Sequence, residues 1–149
     1  MQSLTVPGKL DSLSSLREFV RSAAGSAGLD KSVAYRLGLA VDEIATNIVT
    51  HGYEEAGRAG AIEAWCEVDS DALRIHLEDT GEPYDPAKYS NGAGLDQPFE
   101  RRPVGGLGVF LAIHSVDDLQ YVKSAGKNRH TFVVKRTSSS RPAQGTESC

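Results

Sequence analysis

Hydrophobic residues along this chain change period several times, and each change marks an element. "SLTVPG" reads as a short strand closed by Pro7-Gly8. Leu10, Leu13, Leu16, Phe19, Val20, Ala23 and Ala24 then recur at helical spacing and stop at the Gly- and Ser-rich "AGSAG", which predicts a first amphipathic helix. A second helix, capped by Asp30 or Ser32, carries Val33, Leu37, Ala40, Val41, Ile44, Ala45 and Ile48 on one stripe and stops near His51-Gly52. From residue 61 the period drops to two: Ile62, Ala64, Cys66 and Val68 alternate with Glu63, Trp65 and Glu67. After the turn "DSDA", Leu73, Ile75 and Leu77 alternate with Arg74, His76 and Glu78. Two antiparallel strands with one wet face follow from that alternation.

Residues 80 to 104 hold four of the chain's six prolines and little periodicity, so they predict a long loop, the kind that covers a site. A third helix starts at "GGLG" and runs through Val109, Ala112, Ile113 and Val116. A hairpin follows, with "LQYVKS" and "HTFVVKR" as strands and "AGKN" as its turn. The polar end "TSSSRPAQGTESC" cannot bury enough apolar surface to order itself, so 137–149 is expected to be a disordered tail and 1–136 a single domain. The predicted class is α+β: a two-layer sandwich with a mostly antiparallel, mixed sheet and about three helices on one face.

Composition narrows the partners. The chain has 149 residues, 40% hydrophobic and 24% charged, which suits one soluble domain. Its net charge of −4 gives no electrostatic footprint for nucleic acid, and the only basic pair near its end is "KR" at 135 and 136. No apolar run approaches the roughly 20 residues of a membrane span, and the N-terminus lacks a secretory pattern, so a cytoplasmic location and no membrane partner are expected. Cys66 and Cys149 fit neither a disulfide framework nor spaced zinc ligands, and both are expected to be reduced.

Three polar features interrupt this frame. Glu43 and Asn47 lie four apart on the second helix, one above the other, with His51 a turn further on; a solvated helix face is the ordinary reading of such a ridge. Asp79 continues the phase of Leu73, Ile75 and Leu77, so it points inward, where a carboxylate needs partners; a simple turn at Asp79-Thr80-Gly81 is the alternative. Gly105, Gly106 and Gly108 open a helix, where free N–H groups and the positive dipole end converge on an anion such as phosphate. Glycines there also serve packing. Arg101 and Arg102 stand nearby in sequence as phosphate partners or as solvated cations. His51 and His130 read as hydrogen-bonded structural residues rather than catalysts.

Taken in order, Glu43-x-x-x-Asn47, Asp79-x-Gly81 and Gly105-Gly-x-Gly108 resemble the N, G1 and G2 boxes of the GHKL ATPase superfamily with its Bergerat ATP-binding fold. The segments "VDEIATNIVTHGYE", "LEDTGEPYDP", "RRPVGGLGVFLAIHSVDDLQY" and "NRHTFVVKR" are similar to those of the anti-sigma-factor serine kinases of bacterial partner-switching systems. The resemblance spans roughly residues 10 to 136. It implies an ATP- and Mg²⁺-dependent protein serine kinase and anti-sigma factor that binds a sigma factor and phosphorylates a STAS-domain anti-anti-sigma protein, with homodimers common in the family. It also implies roles. Glu43 would be the general base, Asn47 the Mg²⁺ ligand, and Asp79 the acceptor of the adenine amine. Gly81 would make room for the ring, and Gly105, Gly106 and Gly108 would hold the triphosphate. Thr131 would supply a hydroxyl near adenine. A nucleotide-regulated binding module of the same fold without phosphotransfer is the alternative function. The ATPase lobe of a sensor histidine kinase is disfavoured, because the first 40 residues serve the domain itself.

Overall fold

The computed structural model describes residues 3–83, 85, 106–137 and 147–148. Strand β1 (Ser3–Pro7) leads through a 3₁₀ turn (Leu10–Ser12), which Ser12 Oγ fixes by donating to Pro7 O at 2.7 Å. Helix α1 (Leu13–Ser26) buries Leu13, Leu16, Val20, Ala23 and Ala24, whereas Leu10, expected on the same stripe, is about half exposed. The helix ends where Gly28 adopts φ 73°, letting the Leu29 N–H reach back to Ala24 O. That 6→1 bond satisfies a carbonyl the helix would otherwise leave orphaned.

Helix α2 (Lys31–Asn47) buries Leu37, Ala40, Val41, Ile44 and Ala45, as its periodicity predicts. Asp30 occupies the N-cap position but makes no capping hydrogen bond with its side chain. The helix does not stop at His51-Gly52. It widens into a π-helical turn, Ile48–Glu54, that buries Ile48, Val49, Gly52 and Tyr53. Such widened turns recur at functional sites because they re-aim side chains.

Strands β2 (Ala61–Val68), β3 (Ala72–Asp79), β4 (Asp118–Ser124) and β5 (Lys127–Lys135) join β1 in a sheet of order β1-β2-β3-β5-β4, with every pairing antiparallel. Val6, Ile62, Ala64, Cys66, Leu73, Ile75, Leu77, Phe132 and Val134 line the inner face and form one core with α1 and α2. Helix α3 (Gly106–Ser115) packs on α2. The β4–β5 turn is tighter than "AGKN" suggests: Ala125 (φ 53°) and Gly126 (φ 78°) make it alone, the two-residue form that matches the strands' twist. Lys127 and Asn128 therefore belong to β5. Among the described residues no helix is long and apolar enough to cross a membrane.

One expectation fails at the sheet's other edge. Glu147–Ser148 forms a short strand, β6, antiparallel to β2 with Ser148 opposite Glu67. That register runs towards Cys66, which is disulfide-bonded rather than reduced. Cys149, the chain's other cysteine, lies outside the described residues. So do Gly105, Arg101, Arg102 and most of the loop expected over 80–104.

Arg136, half of the basic pair, is a structural residue. Only 5% exposed, it donates through Nε to Ala27 O at 3.0 Å and through Nη1 to Asp69 O at 2.6 Å, joining the end of α1 to the β2–β3 turn. Arg136→Ala leaves both carbonyls unsatisfied and is expected to lower unfolding stability by about 2–4 kcal/mol. In the same urea titration, Lys135→Ala at an exposed neighbour should stay within about 0.5 kcal/mol of the wild type.

Candidate functional site

The continuous helix from α2 into the π turn is the spine of the site. At its middle, Asn47 is 4% exposed and donates through Nδ2 to the Glu43 carbonyl at 2.9 Å, with Glu43 Oε2 at 3.5 Å. One amide thus bonds back along the helix while its oxygen can meet a hard cation, which prefers oxygen ligands. Burial raises the Glu43 carboxyl above its ordinary pKa, the neighbouring Asp42 charge adds to this, and His51 opposes it. A carboxylate moved in that direction is a better proton acceptor near neutral pH.

Across from Glu43 stands the start of α3. A Cβ on Gly108 would overlap Glu43 Oε1, so the carboxylate lies directly against that glycine's backbone. Gly106 is the first residue of the same helix, whose N-terminal N–H groups favour an anion. Glu43, Asn47 and the Gly106–Gly108 helix start therefore come together as one group.

Further along the spine, Gly52 meets the end of β3. Its carbonyl accepts the Glu82 N–H at 2.9 Å, and a Cβ on Gly81 would come within 2.7 Å of that same oxygen. Only glycine allows this approach. Tyr53, fully buried, donates to Ala61 O at 2.7 Å and accepts the Thr80 N–H at 2.9 Å, anchoring the corner from below. From Glu43 to Gly52 the spine rises about 13 Å at about 1.5 Å per residue. The two groups therefore lie at separate points along one helical spine.

Asp79 points inward as its phase predicts and is 3% exposed. Its Oδ1 accepts from the Gly81 N–H at 2.9 Å and from Asn128 Nδ2 at 3.0 Å. Its Oδ2 is buried without a hydrogen-bond partner among the described residues. Such an atom costs free energy until a donor arrives, and an exocyclic amine is a donor of the right kind. Burial pushes the Asp79 carboxyl above its usual range, against the two donors, and Glu78 adds to the rise. A raised folded-state pKa means that the native form binds the proton more tightly than the unfolded chain. The associated stability is present at low pH and is lost as pH rises through the folded value. Asp79→Asn is therefore expected to raise the melting temperature of the ligand-free protein at neutral pH, with the gain vanishing in acid.

Thr131 is the assignment the structure does not support. It faces the outer side of the sheet, away from Asp79, and its hydroxyl is 2.8 Å from His76 Nδ1. Phe132 and Val134 sit in the core, so the residue between Phe132 and His130 has to face outward. The β5 residue beside Asp79 is Asn128, 2% exposed, which the sequence reading placed in the turn. His76, expected on the wet face, is 8% exposed between Thr131 and Glu67 and stacks on Trp65 with centroids 5.0 Å apart. His51 pairs with Glu55 at 2.7 Å, and the ring of His130 packs against Tyr121 with centroids 5.0 Å apart.

Comparison with known proteins bears on the family and the fold. The model of the histidine kinase-like ATPase domain family matches residues 6–134. Proteins named serine-protein kinase RsbW from Staphylococcus aureus strains are 27% identical over 126 residues, covering 83% of this chain and 79% of theirs. Among solved structures, the RsbU and RsbW domains of Rv1364c from Mycobacterium tuberculosis superpose with a TM-score of 0.57 at 17% identity, over 99% of this chain and 35% of that one. The histidine kinase domain of a blue-light activated kinase from Erythrobacter litoralis gives 0.53 at 14% identity, over 89% and 65%. This chain thus spans about a third and about two thirds of those two structures, and at such identities the likeness bears on the fold, an α+β sandwich of the Bergerat type.

Proposed function

The chain belongs to the histidine kinase-like ATPase domain family, and from that premise we propose that it is an ATP-dependent protein serine kinase that also acts as an anti-sigma factor. Its phosphoacceptor would be a serine of a STAS-domain anti-anti-sigma protein, and its other partner a sigma factor. The observation that carries this reading is the division of labour along one helix. At one end a buried carboxylate oxygen of Asp79 awaits a donor, and at the other Glu43 and Asn47 face a glycine-rich helix start. The named kinases from Staphylococcus aureus support the choice of serine as acceptor.

In this reading Asp79 accepts the amine of adenine and Gly81 gives the ring room. Gly106 and Gly108, with Gly105 before them, present backbone N–H groups to the phosphates. Asn47 would hold Mg²⁺ through its amide oxygen, and the ion would supply charge neutralisation between the phosphates. Glu43 accepts the proton of the incoming serine hydroxyl as the serine oxygen bonds to the γ-phosphorus and the bond from that phosphorus to the β–γ bridging oxygen breaks, releasing ADP. The apparatus is one of positioning and electrostatics, which is what phosphoryl transfer needs.

The test is incubation of the purified protein with terminally labelled ATP, Mg²⁺ and candidate STAS-domain proteins. Label on a partner serine supports the kinase. Nucleotide-dependent binding of an unlabelled partner would instead favour a module that ATP only regulates.

A further inference from the structure

The Asp79–Gly81 corner carries a side-chain relay that the family match leaves without a role. We propose that Asn128, oriented by Tyr121, is the positioning residue that makes this site select a 6-amino purine over a 6-oxo purine. The proposal rests on the nucleotide-binding reading given above.

Asn128 lies on β5 directly opposite Asp79 on β3. Its Nδ2 donates to Asp79 Oδ1 at 3.0 Å and to Gly81 O at 2.9 Å, so one amide ties both ends of the Asp79–Gly81 corner. Two amide protons allow this double bond, and each has one acceptor. The amide's other end is fixed as well: Asn128 Oδ1 accepts the Tyr121 hydroxyl at 2.8 Å from β4. Tyr121 therefore determines which way the amide faces. Turned the other way, it would present its oxygen to the carboxylate.

The consequence is chemical. With the Asn128 and Gly81 donors both on Oδ1, only Oδ2 remains; burial raises the carboxyl above its usual pKa, and the two donors hold that rise back in favour of the ionised form. An ionised carboxylate only accepts. It matches the amine of adenine and repels the carbonyl oxygen of a 6-oxo base, which leaves two acceptors facing each other. Without Asn128 the buried carboxyl loses a donor, takes up a proton more readily and can donate to a 6-oxo group. Selectivity, more than affinity, is what Asn128 controls.

The experiment titrates the full chain with ATP and with inosine triphosphate, each with Mg²⁺, by calorimetry at neutral pH. The wild type should prefer ATP by at least about tenfold. Asn128→Leu should bring the ratio to within about twofold, and Tyr121→Phe, which leaves the amide in place but unoriented, should give an intermediate ratio. A purely structural role would lower both affinities in proportion. An unchanged ratio in both variants, or a proportional fall, overturns the proposal. If Asn128→Leu does not fold by circular dichroism, Tyr121→Phe decides: a wild-type ratio there overturns it. A wild type that binds both nucleotides equally overturns this inference while leaving the nucleotide site standing. A wild type that binds neither overturns the site itself.

Discussion

Glu43→Gln should slow transfer to a partner serine by about 10² to 10⁴-fold, the usual worth of a positioned general base. Glutamine keeps the length and shape of glutamate, so the contact with Gly108 and the helix geometry beneath Asn47 persist. What disappears is the proton acceptor. Because burial raises the Glu43 carboxyl above its ordinary pKa, its ionised form is that of a stronger base than an exposed glutamate. ATP affinity should stay within about threefold of the wild type, since the interaction lost is one made in the transition state. Single-turnover measurement with labelled ATP and a phosphorylatable partner separates the two quantities. Transfer at the wild-type rate would remove Glu43 from the chemistry.

Asp79→Ala acts at the opposite end and on the opposite quantity. The substitution deletes the carboxylate proposed to accept the adenine amine and leaves Asn128 Nδ2 and the Gly81 N–H without their shared oxygen. An unpaired amine in a buried pocket costs about 1–3 kcal/mol, which is about fivefold to 150-fold in affinity. Calorimetric titration with Mg·ATP should register that loss even if the variant is no less stable than the wild type without ligand. Undiminished affinity would withdraw the adenine assignment. On the proposed reading, Glu43 and Asp79 are expected to make separable contributions, one to rate and one to binding, because the helix keeps their surroundings apart.

Much of this arrangement was legible in the chain. The stripe from Leu37 to Ile48 fixed which face of the second helix is buried, and with it the alignment of Glu43 above Asn47. The period-two phase of Leu73, Ile75 and Leu77 sent Asp79 inward, and the structure buries it there. What was not legible depended on how distant segments meet. Asn128 hid inside an apparent four-residue turn, because only the positive φ of Ala125 shortens that turn to two residues and extends the strand. Thr131, carried over from family resemblance, fell to a parity rule already present in Phe132 and Val134.

Local pattern was also silent about contacts that couple sequence-remote parts. The π turn leaves no periodic signature, yet it places Gly52 against Gly81 and Tyr53 beneath Thr80. Pairing of β6 with β2 comes from a segment whose composition predicted disorder, and the disulfide at Cys66 went with it. Arg136 looked like half of a surface basic pair, because nothing local says that its guanidinium reaches two carbonyls far away in the chain.

One ligand spanning Asn47, Asp79 and the start of α3 is the claim on which all else depends, and nitrogen-labelled protein titrated with Mg·ATP tests it in a single spectrum. The Asn47 side-chain amide and the backbone amides of Gly81 and Gly108 should all shift and saturate together with one dissociation constant. Shifts confined to one of these groups, or saturating with separate constants, would contradict it.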